Sequence, residues 1–173
     1  MEANAPLAKL ACVMVGLPAR GKTFIARKIA RYLTWLGHKS RIFNVGNYRR
    51  LKVGAFQPAD FFDPNNKEFN RQRSEVADAA LNDMLSWIAN NGEDGSLEGI
   101  IAASNNDLSM SPRRSQTKLP SGTGVAGTSV IAIYDATNST KERRMLIVQK
   151  CKAENVAVMF IESTLPFKCR HLR

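Results

Sequence analysis

The sequence predicts an α/β fold in which a mainly parallel sheet lies between layers of helices, a three-layer αβα arrangement. Three observations carry that prediction. Four short apolar runs alternate with stretches of helical periodicity, the βαβα rhythm of a parallel sheet. The first run passes through a loop bracketed by Gly16 and Gly21 straight into an amphipathic helical pattern. Finally, 173 residues with 44% hydrophobic and 23% charged composition suit one ordinary globular domain, not a disordered chain, a collagen-like repeat or a disulfide-stapled miniprotein.

The first strand spans Lys9 to Val15. Its run Leu10–Val15 has the apolarity of a signal-peptide core, but only Lys9 precedes it as a nearby cation and Pro18-Ala19-Arg20-Gly21-Lys22 follows. A buried strand is therefore the reading. Helix one runs from Lys22 to Leu36, with Ile25, Ile29 and Leu33 at i, i+4, i+8 and Gly37 as its stop. Strand two covers Ser40 to Val45. Asp63-Pro64 offers a cap and a first-turn proline ahead of helix two, expected over Asn66 to Ala89. That helix should bury Phe69, Val76, Ala80, Leu81, Met84, Leu85 and Ile88 before Asn91-Gly92 ends it.

Residues 93–128 are rich in Ser, Gly, Asn and Thr, and a disordered insertion is predicted there, since so few apolar groups cannot offset ordering entropy. A phosphorylation or docking segment around Ser111 and Ser115 is the alternative. Strand three follows over Ser129 to Tyr134, ending in Asp135. Ser139-Thr140-Lys141-Glu142 spells a capping box for helix three, which extends to about Asn155. Strand four covers Val156 to Glu162, and 164–173 reads as an irregular tail. The whole chain, 1–173, is expected to be one domain.

The net charge is +10, and it is unevenly placed. Between Ala3 and Ala59 there is no acid, while eleven Lys and Arg residues fall there. Such a field concentrates anions. Arg27, Lys28 and Arg31 read as the solvated face of helix one. No helix-turn-helix, zinc-finger or aromatic stacking motif accompanies the charge, which disfavours nucleic acid and leaves a small phosphorylated ligand. No apolar run reaches the ~20 residues of a membrane helix. Cys12, Cys151 and Cys169 are odd in number and lack metal-ligand spacing, as expected of free thiols in a cytoplasmic protein.

Gly16, Leu17, Pro18, Ala19, Arg20, Gly21, Lys22 and Thr23 match G-x-x-x-x-G-K-[ST]. The glycines permit a tight turn whose backbone N–H groups point inward around phosphates at a helix N-terminus. In a P-loop NTPase-type fold Lys22 reaches the β- and γ-phosphates of ATP and Thr23 ligates Mg²⁺. Asp135, at the carboxyl end of strand three, is the acid expected to hold that metal or its waters, and Glu162 is a weaker candidate. Arg49 and Arg50 after strand two, Arg73 on helix two, and Arg143 and Arg144 opening helix three suggest a second anion pocket beside the nucleotide.

Four segments carry a resemblance. The loop Gly16–Thr23, Phe43-Asn44-Val45-Gly46-x-Tyr48-Arg49-Arg50, Asp135-Ala136-Thr137-Asn138-Ser139-Thr140-x-Glu142-Arg143-Arg144 and Phe160-Ile161-Glu162-Ser163 resemble the kinase domain of 6-phosphofructo-2-kinase/fructose-2,6-bisphosphatase. The resemblance implies transfer of the ATP γ-phosphoryl group to the 2-hydroxyl of fructose 6-phosphate. It implies ATP at Gly16 to Thr23, Asp135 as the active-site acid, and fructose 6-phosphate at Arg49, Arg73, Thr137 and Arg143. Leu165 stands where the family has a cysteine. The family's later ATP and sugar-phosphate residues, and its Arg-His-Gly phosphatase motif, have no counterpart before Arg173. The expectation is therefore a truncated kinase domain without phosphatase activity. A catalytically inert nucleotide-binding module, or another P-loop small-molecule kinase, remains the alternative.

Overall fold

The computed structural model describes residues 8–54, 66–93 and 129–164. Four strands, β1 (Lys9–Val15), β2 (Lys39–Asn44), β3 (Val130–Asp135) and β4 (Ala157–Glu162), form one sheet in the order β2-β3-β1-β4. Every pairing is parallel, and the register sets Asn44 opposite Asp135 and Val15 opposite Glu162. Parallel pairing needs crossovers, and helices supply them. These are α1 (Lys22–Trp35), α2 (Val45–Val53), α3 (Lys67–Ala89) and α4 (Lys141–Ala153).

The two inner strands are sandwiched. All six residues of β3 are buried, and β1 alternates its side chains between two cores. Ala11 and Val13 join Phe43, Leu81, Met84, Trp87, Tyr134, Ile147 and Cys151, so α3 and α4 lie on that face. Cys12 and Met14 join Ala26, Ile131 and Ile133, with Ile25, Ile29 and Leu33 of α1 half-buried against them. Neighbouring strands β1 and β3 thus send their following helices to opposite faces. This is a topological switch point, where α/β folds open a crevice at the strand carboxyl ends. Leu81 is fully buried within the larger core. Leu81→Ala is expected to cost about 2–5 kcal/mol and to lower Tm by on the order of 10 °C, read by thermal circular dichroism.

Several sequence expectations need correction. Strand two stops at Asn44, because Val45 opens α2, a helix the sequence reading left out. Asn44 caps it, its Oδ1 accepting from the Asn47 amide at 3.0 Å. None of the residues of α2 is fully buried, so no apolar stripe announced it. The cap of α3 is Asn66, whose Oδ1 accepts from the Phe69 amide at 3.2 Å. Asp63 and Pro64 lie outside the described residues. Trp87 joins the buried stripe of α3 and meets Phe43 edge-on at 5.8 Å, while Phe69 and Leu85 are only half-buried. The capping box shifts by one residue: Thr140 caps α4 through the Arg143 amide at 3.3 Å, so Glu142 stands one place too early to reciprocate. The insertion expected over 93–128 lies outside the described residues beyond Glu93, as does the tail beyond Thr164 and Cys169 with it.

Candidate active site

The carboxyl end of β1 runs into the loop Gly16–Gly21, and that loop runs into α1. Gly16 has φ 137° and Gly21 has φ 76°, both in the region that favours glycine. A Cβ on Gly16 would stand 2.8 Å from the Ser163 carbonyl oxygen, so a larger residue would force the loop off β4. Gly21 occupies the N-cap of α1, where no side chain satisfies the first-turn amides and no acid lies in that turn. An uncapped helix start with its positive dipole end exposed is suited to receive an anion.

Two side chains of α1 face this mouth. Lys22 is buried, and its Nζ donates to the Leu17 carbonyl at 2.5 Å, folding back over the loop. Burial pushes its ammonium below the ordinary lysine value, and the Asp135 carboxylate offsets this in part. Thr23 Oγ1 donates to Asp135 Oδ2 at 2.6 Å. The same Oδ2 accepts from Asn44 Nδ2 at 2.5 Å. Asp135 is only 3% exposed, so its carboxylate is held by a hydroxyl, an amide and the in-register end of β2. A hydroxyl and a buried carboxylate side by side are hard oxygen donors of the kind Mg²⁺ takes when phosphates supply the remaining ligands. Among the described residues no cluster of three or more His, Cys, Asp or Glu side chains offers an all-protein metal cage.

The expected sugar-phosphate residues divide. Arg49 is half-buried on α2 and Arg73 half-buried on α3, with Arg73 donating to Asn70 Oδ1; α2 and α3 pack on one another. Thr137 is exposed directly after β3, and its carbonyl accepts from the Gly16 amide at 2.9 Å. Arg143 is half-buried on α4. Its guanidinium donates to Asp78 Oδ1 at 2.9 Å and to the Tyr134 hydroxyl at 3.0 Å, tying α4 to α3 and β3. Arg144 donates to the carbonyls of Asn138 and Ser139, and Glu162 is exposed at the end of β4.

With this geometry in place, comparison with known proteins is decisive. The sequence profile of 6-phosphofructo-2-kinase matches residues 2–114 and 125–166. The chain belongs to the 6-phosphofructo-2-kinase family. It is 39% identical over 158 residues to 6-phosphofructo-2-kinase/fructose-2,6-bisphosphatase of Arabidopsis thaliana, a match covering 89% of this chain and 16% of that protein. The Caenorhabditis elegans protein of the same name is 38% identical over 156 residues, covering 87% of this chain and 26% of that one. The chain thus spans roughly a sixth to a quarter of these relatives. An APS kinase from Mycobacterium tuberculosis is similar at a TM-score of 0.48 and 13% identity, covering 91% of this chain and 77% of that chain.

Within this member of the 6-phosphofructo-2-kinase family, two site residues escaped sequence reasoning. Asn44 was visible only as the start of an arginine-bearing stretch, and Ser163 only as the end of a motif. The signal for Asn44 is its place: it ends β2 as Asp135 ends β3. The buried thiols stand apart from the site. Burial pushes the Cys151 thiol up to about 11 and raises that of Cys12, which suits packing and not nucleophilic work. Among the described residues no helix is long and apolar enough to cross a membrane.

Proposed function

We propose that this chain transfers the γ-phosphoryl group of ATP to the 2-hydroxyl of fructose 6-phosphate, giving ADP and fructose 2,6-bisphosphate. The observation that carries the reading is the convergence of Lys22, Thr23, Asp135 and Asn44 at the mouth of an uncapped phosphate loop. Family membership supports that substrate pair.

The loop amides and Lys22 cradle the β- and γ-phosphates, with Lys22 leaving the Leu17 carbonyl to do so. Thr23 and Asp135 would hold Mg²⁺ directly or through its water, and the ion would supply neutralisation of the phosphate charge. The sugar 2-hydroxyl oxygen forms the new bond to that phosphorus as the bond to the β,γ-bridging oxygen breaks, and ADP carries away the negative charge. Asp135 would serve either as acceptor of the hydroxyl proton or as the group that orients the metal's water, the hydroxyl proton then passing to solvent. Arg49, Arg73, Thr137 and Arg143 are the proposed contacts to fructose 6-phosphate, and guanidinium forks suit its phosphate. Catalysis of this kind is positioning and charge neutralisation more than covalent chemistry.

The test is a coupled assay of fructose 2,6-bisphosphate formation beside titration with a non-hydrolysable ATP analogue and Mg²⁺. Product above a Lys22→Ala background supports the kinase; binding without product supports a nucleotide-binding module. The engagement of Arg143 by Asp78 and Tyr134 favours that second reading.

A further inference from the structure

Ser163, the first residue after β4, touches the phosphate loop at both of its ends. Its amide donates to the Val15 carbonyl at 2.9 Å, just before the loop begins. Its own carbonyl oxygen fills the space against Gly16. Its hydroxyl donates to the Arg20 carbonyl at 2.5 Å, just before the loop enters α1. The Ser163 side chain is buried. Between the two anchored ends lies Ala19, with φ 58°, a left-handed conformation that is uncommon and costly for an L-residue.

We propose that Ser163 is a positioning residue for phosphate binding, its hydroxyl fixing the separation of the loop's two ends so that the amides already face inward before a polyphosphate arrives. The opposite side of the loop is held independently, through the Gly16 amide on Thr137 and Asn138 Nδ2 on the Met14 carbonyl at 2.8 Å. Ser163 therefore supplies the brace from β4 to the Arg20 end of the loop. A preorganised loop binds more tightly because less ordering is left to do on association. The proposal deepens the ATP-binding reading above and rests on it for its consequence, but the brace itself is measurable without ligand.

The Arg20–Gly21 bond adjoining the brace is a trypsin site, which supplies the readout. Full-length wild-type, Ser163→Ala and Ser163→Thr proteins are digested briefly without ligand, and each cut is timed by mass spectrometry. Cleavage after Arg20 in Ser163→Ala should rise about fivefold relative to cleavage after Arg31 in α1, with Ser163→Thr tracking wild type. A merely structural role would speed both cuts alike, and an unchanged ratio overturns the proposal. Affinity for a non-hydrolysable ATP analogue with Mg²⁺ should fall about 3–10-fold in Ser163→Ala, the loss of one neutral hydrogen bond. If the wild type binds no analogue while the ratio still rises, the brace stands and the kinase reading fails.

Discussion

Lys22→Ala is expected to lower affinity for MgATP by about 10–150-fold and turnover by roughly a further tenfold or more, while the protein stays folded. The affinity figure is that of a charge-assisted hydrogen bond to phosphate, and the turnover loss reflects charge that grows on the leaving oxygen in the transition state. Lys22 costs the resting fold something, because its ammonium is buried with a single carbonyl as its hydrogen-bond partner and with its pKa pushed down by desolvation. Alanine relieves that cost, so Tm should hold or rise. The sign on pH follows from the same shift. A lysine whose pKa is lower in the folded state than in the unfolded one makes the unfolded chain bind more protons as pH nears the lysine range. This contribution therefore stabilises the fold as pH rises toward the ordinary lysine value of 10.5, and the Ala variant should lack that slope. Isothermal titration and thermal melts at several pH values check both parts. Undiminished affinity in Lys22→Ala would remove the phosphate cradle from the account.

The contrast between what the chain announced and what it concealed has a physical pattern. Local chemistry was readable. The glycine spacing of Gly16 and Gly21, the apolar stripe of α3 and the acid ending β3 each depend on neighbours a few residues away. Features that depend on which strands become neighbours were not readable. Asn44 reaches Asp135 because β2 pairs with β3 in register, and Ser163 reaches Arg20 because β4 pairs with β1. Neither pairing is written in the linear order of the elements. The short helix α2 escaped for a second reason: it emerges from β2 with no intervening loop and buries no residue fully, so no apolar periodicity marks it.

Arg143 shows a further dependence on which elements become neighbours. A guanidinium placed just after a strand end reads as a ligand for an anion, and in sequence nothing contradicts that. In the fold, α3 and α4 share one face of the sheet, which brings Asp78 within 2.9 Å of it. The Tyr134 hydroxyl, itself donating to the Ala77 carbonyl at 2.7 Å, completes the arrangement. Asp78 also has Lys150, 3.9 Å away, as a second cation, so Arg143 shares that carboxylate and would meet a sugar phosphate with its remaining N–H donors.

Asp135 is where fold and chemistry meet, and two substitutions separate its duties. Asp135→Asn keeps an oxygen able to accept from Thr23 Oγ1 and Asn44 Nδ2, so the cluster and the fold should persist. What it loses is the charge, and turnover is expected to drop about 10²–10⁴-fold. If the carboxylate accepts the hydroxyl proton, that loss persists in kcat at saturating Mg²⁺. If it orients the metal's water, the Mg²⁺ concentration for half-maximal binding rises as well. Asp135→Ala removes the acceptor too, leaving the Thr23 and Asn44 donors facing a space in which one atom had satisfied both. That variant should lose about 1–3 kcal/mol of stability beyond any catalytic effect, visible in urea unfolding. Because Asn44 also caps α2, the same change loosens the start of the helix that carries Arg49. A sugar-phosphate KM that rises in Asp135→Ala but not in Asp135→Asn is the expected sign of that connection. Wild-type turnover in Asp135→Asn would mean that the buried carboxylate holds the strand ends together and takes no part in phosphoryl transfer.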